Sequence, residues 1–134
     1  MISASMFQNS TLPVLEQVLN FSQARHNVLA GNIANLDTPG YRVRDLSPDR
    51  FQELLREAID DRHRGASASI TGNYDEKLHQ VSENLESILY HDDSNVSIEH
   101  QIAEMSKNQL QHNMALSIMT SQFQLLRAAI SERA

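Results

Sequence analysis

The 134-residue chain has no cysteine, no tryptophan, three prolines, four glycines and only 5% aromatic residues. The lack of cysteine excludes disulfide scaffolds, cysteine-based zinc sites and thiol nucleophiles. So few prolines and glycines argue against a turn-rich β-sandwich and against a glycine-rich disordered chain. Because 40% of the residues are nevertheless hydrophobic, the composition favours helices packed by leucine, isoleucine, methionine and alanine.

Further absences restrict where the chain acts and what it binds. No apolar run approaches the ~18 residues that a membrane-spanning helix needs. The N-terminus, MISASMFQNS, has neither the basic nor the apolar region of a cleavable signal peptide. The net charge of -6 is concentrated in residues 65–101, where seven acids oppose one lysine. The two ends are nearly neutral, which suits burial against partners, and no basic cluster predicts nucleic-acid binding.

Catalytic and metal-binding patterns are also missing. The six histidines include no H-x-x-x-H pair, and the chain has no glycine-rich phosphate loop and no G-x-S-x-G or H-E-x-x-H motif. We therefore expect no enzymatic activity, no cofactor, no metal and no small-molecule ligand.

The N-terminal part of the chain has a helical pattern of apolar residues. A helix is predicted from near Thr11 or Pro13 to about Asn35, since proline is tolerated in a first turn. Its seam follows alternating steps of three and four, with Ser22 and His26 as polar members. The apolar members of this seam are Leu15, Leu19, Leu29, Ile33 and Leu36.

The C-terminal third has a longer seam, spaced 4-3-4-3 without a slip, which predicts a long helix with coiled-coil packing. Ser97 or Asn95 is expected to cap it. Two members are polar, Gln109 and His112. The apolar members are Ile98, Ile102, Met105, Leu116, Met119, Phe123, Leu126 and Ile130.

Both seams are polar in the middle, which predicts how the helices pair. In an antiparallel coiled coil the two polar centres meet, so we expect His26 to lie near Gln109 or His112. Buried polar groups in such a seam set the register at some cost in stability.

The predicted fold is therefore mainly α. Residues 1–11 are expected to be disordered, residues 12–36 and 97–131 to form the paired terminal helices, and residues 37–96 to form a small, partly irregular middle segment. Within it, residues 47–64 predict a short helix capped by Ser47, residues 65–73 a flexible loop and residues 91–95 a turn. Residues 74–90 are compatible with a helix or with a partly extended segment.

The stretch NIANLDTPGYR, residues 32–42, predicts a rigid corner where the first helix ends. Asn35 is expected to stop the helix in the left-handed conformation. Thr38-Pro39-Gly40-Tyr41 fits a type II turn, with glycine supplying the positive φ. Tyr41 can then pack against the helix end and hydrogen-bond through its hydroxyl, and residues 42–44 alternate like a short strand.

This corner resembles the N-terminal motif A-N-I-A-N-x-x-T-P-G-Y of the bacterial flagellar rod, hook and hook-associated protein family. Gly31 stands at the leading alanine, and the short length with an unbroken D-T-P-G-Y is typical of a short rod subunit. The similarity covers roughly residues 12–46 and 88–131. The matching motif residues are Asn32, Ile33, Ala34, Asn35, Thr38, Pro39, Gly40 and Tyr41.

The resemblance implies a structural subunit of the proximal rod in the basal body. Its terminal helices would form the axial core that transmits torque and encloses the export channel. It implies export without a cleaved signal peptide to a periplasmic rod. The implied partners are other copies, other rod proteins, a rod-base adaptor and membrane-ring or export-gate proteins.

Two other functions are compatible with parts of the pattern. One is another short rod paralogue, and the other is a soluble helical adaptor or chaperone, which the C-terminal heptads alone would fit. The rigid corner argues against an adaptor, because a simple helical hairpin needs only a short loop.

Overall fold

The computed structural model describes residues 10–68, 74–92 and 97–132. These residues are mainly α-helical, with long N- and C-terminal helices, as the sequence predicts. In chain order the elements are helix α1 (Leu12–Ala34), strand β1 (Val43–Leu46), helix α2 (Pro48–Ala68), helix α3 (Tyr74–Glu83), a 3-10 turn (Leu85–Ile88), strand β2 (Leu89–Asp92) and helix α4 (Ile98–Ser131).

Helices α1 and α4 pair antiparallel. Hydrogen bonds join Thr11 to Gln122 near the start of α1, and Asn32 to Gln101 near its end. Residue numbers therefore fall along α4 as they rise along α1. Since α4 has 34 residues and α1 has 23, the last turns of α4 extend past the start of α1.

Polar side chains define the starts of the helices. The Ser47 Oγ accepts the Arg50 amide N–H at 3.3 Å, and the Ser97 Oγ accepts the His100 amide N–H at 3.3 Å. Each bond satisfies an amide that has no partner within its helix. Both predicted serine caps are confirmed.

The middle segment builds a small core against one side of α1. Strands β1 and β2 pair antiparallel, from Val43 opposite Asp92 to Leu46 opposite Leu89. The Phe21 ring of α1 stacks on the Phe51 ring of α2, with centroids 4.1 Å apart. The buried residues of this core are Phe21, Leu46, Phe51, Ala58, Leu78, Val81 and Ile88.

The structure corrects part of the predicted middle segment. Helix α2 continues to Ala68, so residues 65–68 are not loop. Gly65 costs the helix ~1 kcal/mol relative to alanine. No proline follows it to end the helix, and the alanines at positions 66 and 68 favour its continuation. Residues 74–90 contain both predicted alternatives, first helix and then extended chain. Residues 1–9, 69–73 and 93–96 lie outside the described part, so most of the predicted disordered N-terminus, loop and turn lies there.

The α1–α4 interface differs from the predicted seam on α4. Gln101, Asn108 and Ala115 are buried, and Met105, His112, Met119 and Leu126 are half-buried on the same side. We call these seven residues the buried seam. The other apolar members of the predicted seam, Ile98, Ile102, Leu116, Phe123 and Ile130, are 45–71% exposed.

On α1 the predicted seam residue Leu29 is 1% exposed. Leu15, Leu19 and Ile33 are half-buried. The contact side of α4 is thus rotated by part of a turn from the prediction. It carries the polar groups that the polar residues of α1 require as partners.

Candidate functional site

The corner after α1 has the two features of a type II turn. The Tyr41 amide N–H donates to the Thr38 carbonyl at 3.2 Å, and Gly40 has φ +76°. A Cβ built on Gly40 would have no atom within 4 Å. The requirement for glycine here is therefore conformational rather than steric.

Asn35 ends α1 in a different way from the predicted one. Its φ is -111°, and the structure gives a positive φ to no non-glycine residue that it describes. Its side chain donates to the Gly31 carbonyl at 2.8 Å, and its own carbonyl accepts the Thr38 amide at 3.0 Å. The left-handed stop is therefore wrong, because the side chain satisfies the helix end without it.

Asn32 joins the corner to three elements. Its side-chain amide nitrogen donates to the Arg44 carbonyl at 2.6 Å and to Gln101 Oε1 of α4 at 3.0 Å. Its side-chain oxygen accepts the Arg44 amide at 3.2 Å and the Tyr41 hydroxyl at 3.1 Å. The residue is 0% exposed, so every donor and acceptor of the amide is used inside the protein.

The two bonds to Arg44 give Asn32 the role of a neighbouring strand. They occupy the N–H and C=O that β1 presents on the side away from β2, where an open edge would otherwise attract another strand. The corner motif thus has one fully buried member, Asn32, and three half-buried members, Ile33, Asn35 and Tyr41. Thr38, Pro39 and Gly40 lie at the surface.

Arg25 is buried and holds α1, β1 and α4 together through ion pairs with two half-buried carboxylates. Its guanidinium donates to both Asp45 carboxylate oxygens, at 2.9 and 2.8 Å, and to Glu104 at 2.8 Å. Burial lowers the pKa of Arg25, but the hydrogen bonds that Arg25 donates to Asp45 and Glu104 outweigh it and leave that pKa raised. Hydrogen bonds from Lys107 and then Arg25 lower the pKa of Glu104.

Sequence reasoning missed this cluster. Arg25 is the only lysine or arginine among the first 40 residues. Arginine is usually exposed, so the sequence alone does not indicate that this guanidinium is buried and paired. The partners themselves are 20 and 79 residues away along the chain. No local pattern identifies them.

The polar centres of the two helices do meet, but through Ser22 rather than His26. Ser22 Oγ lies 2.8 Å from His112 Nδ1, and the Asn108 amide donates to the Ser22 carbonyl at 2.7 Å. His26 makes no hydrogen bond to Gln109 or His112 in the described part of the chain. Its buried Nδ1 has no partner there, and Gln109 bonds Asn113 on the exposed side of α4.

Helix α4 exposes two apolar stripes. The outer stripe contains Ile98, Ile102, Leu116, Phe123 and Ile130, beside the buried seam. The back stripe contains Leu110, Met114, Ile118 and Leu125, which are 40–72% exposed. At ~100° per residue the two stripes are centred roughly 170° apart around the helix axis. Exposed apolar patches that run along one helix are typical of surfaces that contact another molecule.

The described residues contain no group of three or more histidine, cysteine or acidic side chains that could hold a metal. None of their helices is long and apolar enough to cross a membrane. The structure has a rigid corner, a helix pair joined by buried polar contacts and two exposed apolar stripes. These features define a structural subunit that assembles with other chains.

Comparisons with known proteins identify the family of this subunit. The family model described as flagella basal body rod protein matches residues 16–42, which include most of α1 and the corner. The chain is 32% identical to the flagellar basal body rod protein FlgB of Aquifex aeolicus over 119 residues, covering 89% of this chain and 91% of the relative. It is 28% identical to FlgB of Salmonella typhimurium over 123 residues, with 85% and 88% covered.

FlgB of Bacillus subtilis is 26% identical over 130 residues, with 92% of this chain and 95% of the relative covered. The chain therefore belongs to the FlgB family of flagellar basal-body rod proteins. As a member it is a structural subunit of that rod. The expected resemblance to the rod family, and to the short rod subunit within it, is confirmed.

Proposed function

We propose that this subunit assembles into the axial rod through the two stripes of α4, while the corner fixes the angle at which the middle segment leaves the helix pair. The proposal rests on one observation: α4 buries polar side chains against α1 and exposes apolar ones. Its contact with α1 buries Gln101 and Asn108, and its largest apolar residues face outwards. A helix with this distribution gains most of its apolar burial from neighbouring chains.

Two stripes on opposite sides of α4 allow two different neighbours. A contact that joins one face of a subunit to another face of the next produces an open helical array when it does not close into a ring. The back stripe lies away from α1, so it is available to a neighbour along its whole length. The outer stripe borders the buried seam, where a neighbour would contact both helices of the pair.

In the assembled rod, the helix pairs form the wall of the export channel and carry torque along the axis. The chain leaves the cell without a cleaved signal peptide and assembles in the periplasm. Its neighbours are other copies, other rod proteins and, at the base, an adaptor and membrane-ring or export-gate proteins. The hydrogen bonds of Asn32 and the ion pairs of Arg25 suit this role, because they fix β1 and α4 relative to α1 when the subunit carries a mechanical load.

The test is complementation of a deletion strain, scored by swimming and by imaging of isolated basal bodies. A Leu110→Glu/Leu125→Glu variant places two charges in the back stripe. The matched control, Gln111→Glu/Gln124→Glu, adds the same charges to exposed polar positions of α4. We expect the control to restore rods and swimming, and the back-stripe variant to restore neither despite a normal amount of exported protein.

Rods restored by the back-stripe variant would refute its role as an assembly surface. Normal rods in the deletion strain itself would overturn the rod function and favour the adaptor. Complementation with Gly40→Val tests the corner separately: rods should be missing or scarce, because valine strongly disfavours φ +76°.

A further inference from the structure

The two outer edges of the small sheet differ in what covers them. On the outer edge of β1, the Asn32 side chain bonds both the N–H and the C=O of Arg44. These two groups point away from β2, so Arg44 and His91, which lie opposite each other, form a pair with no hydrogen bonds between them. The N–H and C=O of His91 therefore point away from β1, towards the outer edge of β2.

The outer edge of β2 presents three polar backbone groups in a row. Leu46 and Leu89 form the next pair of the same kind, so the groups are the Leu89 C=O, the His91 N–H and the His91 C=O. The Leu89 N–H already donates to the Glu86 carbonyl. No hydrogen bond from another described residue satisfies the other three groups, and His91 is exposed. An edge of this kind can accept an additional strand.

A pocket of about 400 Å³ lies beside the start of β2. One charged side chain lines it, that of Arg50, and its ion pair with Glu53 lies at the surface, where both side chains are more than 60% exposed. Such a pair contributes little and leaves the guanidinium accessible. Tyr90 is 44% exposed, so the pocket is open next to the edge. Its lining consists of Ser47, Arg50, Ser87, Ile88, Leu89 and Tyr90.

The charges on the sheet favour an acidic occupant. Side chains alternate between the two faces of a strand, so Arg44 and His91 share one face, and Asp45 and Asp92 lie on the other. Arg44 and His91 are both exposed. A second copy of this chain fits the edge poorly, because the antiparallel register that satisfies both groups of His91 places His91 opposite His91, with the two Arg44 side chains on the same face.

We propose that the outer edge of β2 binds an extended, acidic segment of a different protein as a third strand of the sheet. The main chain of the segment bonds His91 and Leu89. An acidic side chain lies opposite His91, on the face that carries Arg44, and an apolar side chain two residues further along lies opposite Leu89, beside the pocket. In this type of recognition, main-chain bonds supply affinity and alternate side chains supply specificity. The edge belongs to the middle segment, so the inference does not depend on the stripes of α4.

The first test titrates a capped heptapeptide into the full-length protein. The peptide consists of threonines with glutamate at its third position and valine at its fifth, so that antiparallel pairing of the glutamate with His91 places the valine opposite Leu89. The matched control has lysine in place of the glutamate. At saturation, the glutamate peptide should slow hydrogen exchange of the His91 amide about tenfold. The lysine peptide should bind about fivefold more weakly, a factor typical of an exposed charge contact.

Two N-methylated peptides separate strand pairing from simple charge attraction. Methylation of the glutamate nitrogen removes the N–H that donates to the His91 carbonyl, and should weaken binding about tenfold. Methylation of the next threonine nitrogen changes a group that faces away from β2. This second peptide should bind nearly as well as the parent peptide.

A charge reversal on the protein tests the acidic preference. Arg44→Glu leaves the backbone bonds of this residue to Asn32 in place and should reverse the preference, so that the lysine peptide binds more tightly than the glutamate peptide. The control, Arg56→Glu, makes the same change at an exposed position of α2 and should leave the preference unchanged. Circular dichroism should show the parent helical content in both variants.

Equal affinities for the two N-methylated peptides, equal affinities for the glutamate and lysine peptides, or unchanged exchange at His91 would each overturn the proposal. Protection of His91 that appears without peptide and increases with protein concentration would also overturn it, because a second copy would then occupy the edge. The rod complementation experiment has a separate readout. Its failure would leave the peptide result in place.

Discussion

Asn32→Ala is expected to be far more damaging than Asn35→Ala, although both residues belong to the same motif and lie three positions apart. Asn32 is 0% exposed and makes four hydrogen bonds to three partner residues. Truncation leaves the buried Gln101 Oε1 and the Arg44 peptide group without these partners. Asn35 loses a half-buried bond to Gly31 and a weak contact with Thr38 at 3.3 Å.

The expected losses of unfolding free energy depend on how exposed to water each group is after it has lost its hydrogen-bond partner. A buried donor or acceptor that loses its partner costs about 1–3 kcal/mol, and a partly exposed bond about 0.5–1.5 kcal/mol. Tyr41 is half-buried and Arg44 has an exposed side chain, so water compensates part of the loss around Asn32. We expect Asn32→Ala to lower the free energy of unfolding by about 2–4 kcal/mol and Asn35→Ala by no more than ~1 kcal/mol.

Urea unfolding followed by far-ultraviolet circular dichroism measures both values. Asn32→Asp is an informative third variant, because it keeps the accepting oxygen but places a carboxylate against two other oxygens, Arg44 O and Gln101 Oε1. It should be at least as destabilising as alanine at neutral pH. Equal losses for Asn32→Ala and Asn35→Ala would refute the conclusion that Asn32 joins the corner, β1 and α4.

Three further predictions concern single positions. The folded-state pKa of Glu104 lies below its ordinary 4.5, so the ionised carboxylate contributes stability above pH 4.5 that is lost as the pH falls through the lowered pKa. The urea midpoints of the parent and of Glu104→Gln should therefore converge between about pH 5 and pH 3. A constant difference between the two midpoints would contradict this prediction. Gly40→Ala should destabilise by about 1–2 kcal/mol because of φ +76°, and Gly40→Asn by less, whereas equal losses would indicate a steric cause. Gly31→Ala should raise the free energy of unfolding by ~0.5–1 kcal/mol, since the added Cβ would lie 3.9 Å from the Tyr41 hydroxyl; a lower thermal midpoint would contradict this.

Local sequence determined the features that depend on a few adjacent residues. The serine caps of α2 and α4, the type II turn at residues 38–41 and the start of α1 near Pro13 all agree with the structure. Each depends on bonds between near neighbours or on the backbone preference of one residue. The bounds of both long helices could be predicted for the same reason.

Only the tertiary structure decided which side of α4 meets α1. Apolar residues occur on several sides of α4, so their spacing predicts a helix without identifying its buried side. The choice depends on α1, where Ser22, Arg25 and Asn32 place polar groups in the interface. If these groups were buried without hydrogen-bond partners, the free-energy cost would exceed the gain from the apolar surface that a different rotation of α4 would bury. Asn108 and Gln101 therefore face α1, and Phe123 and Leu116 face outwards.

The candidate site likewise has one part that the sequence predicts, the corner motif, and one part that it does not, the long-range polar contacts. The corner motif is continuous in sequence and could be recognised there. The contacts that hold it, from Asn32 to Gln101 and from Arg25 to Asp45 and Glu104, link residues 20–79 positions apart. Such partners are selected by packing and by the need to satisfy buried polar groups, and both become defined only when the chain has folded.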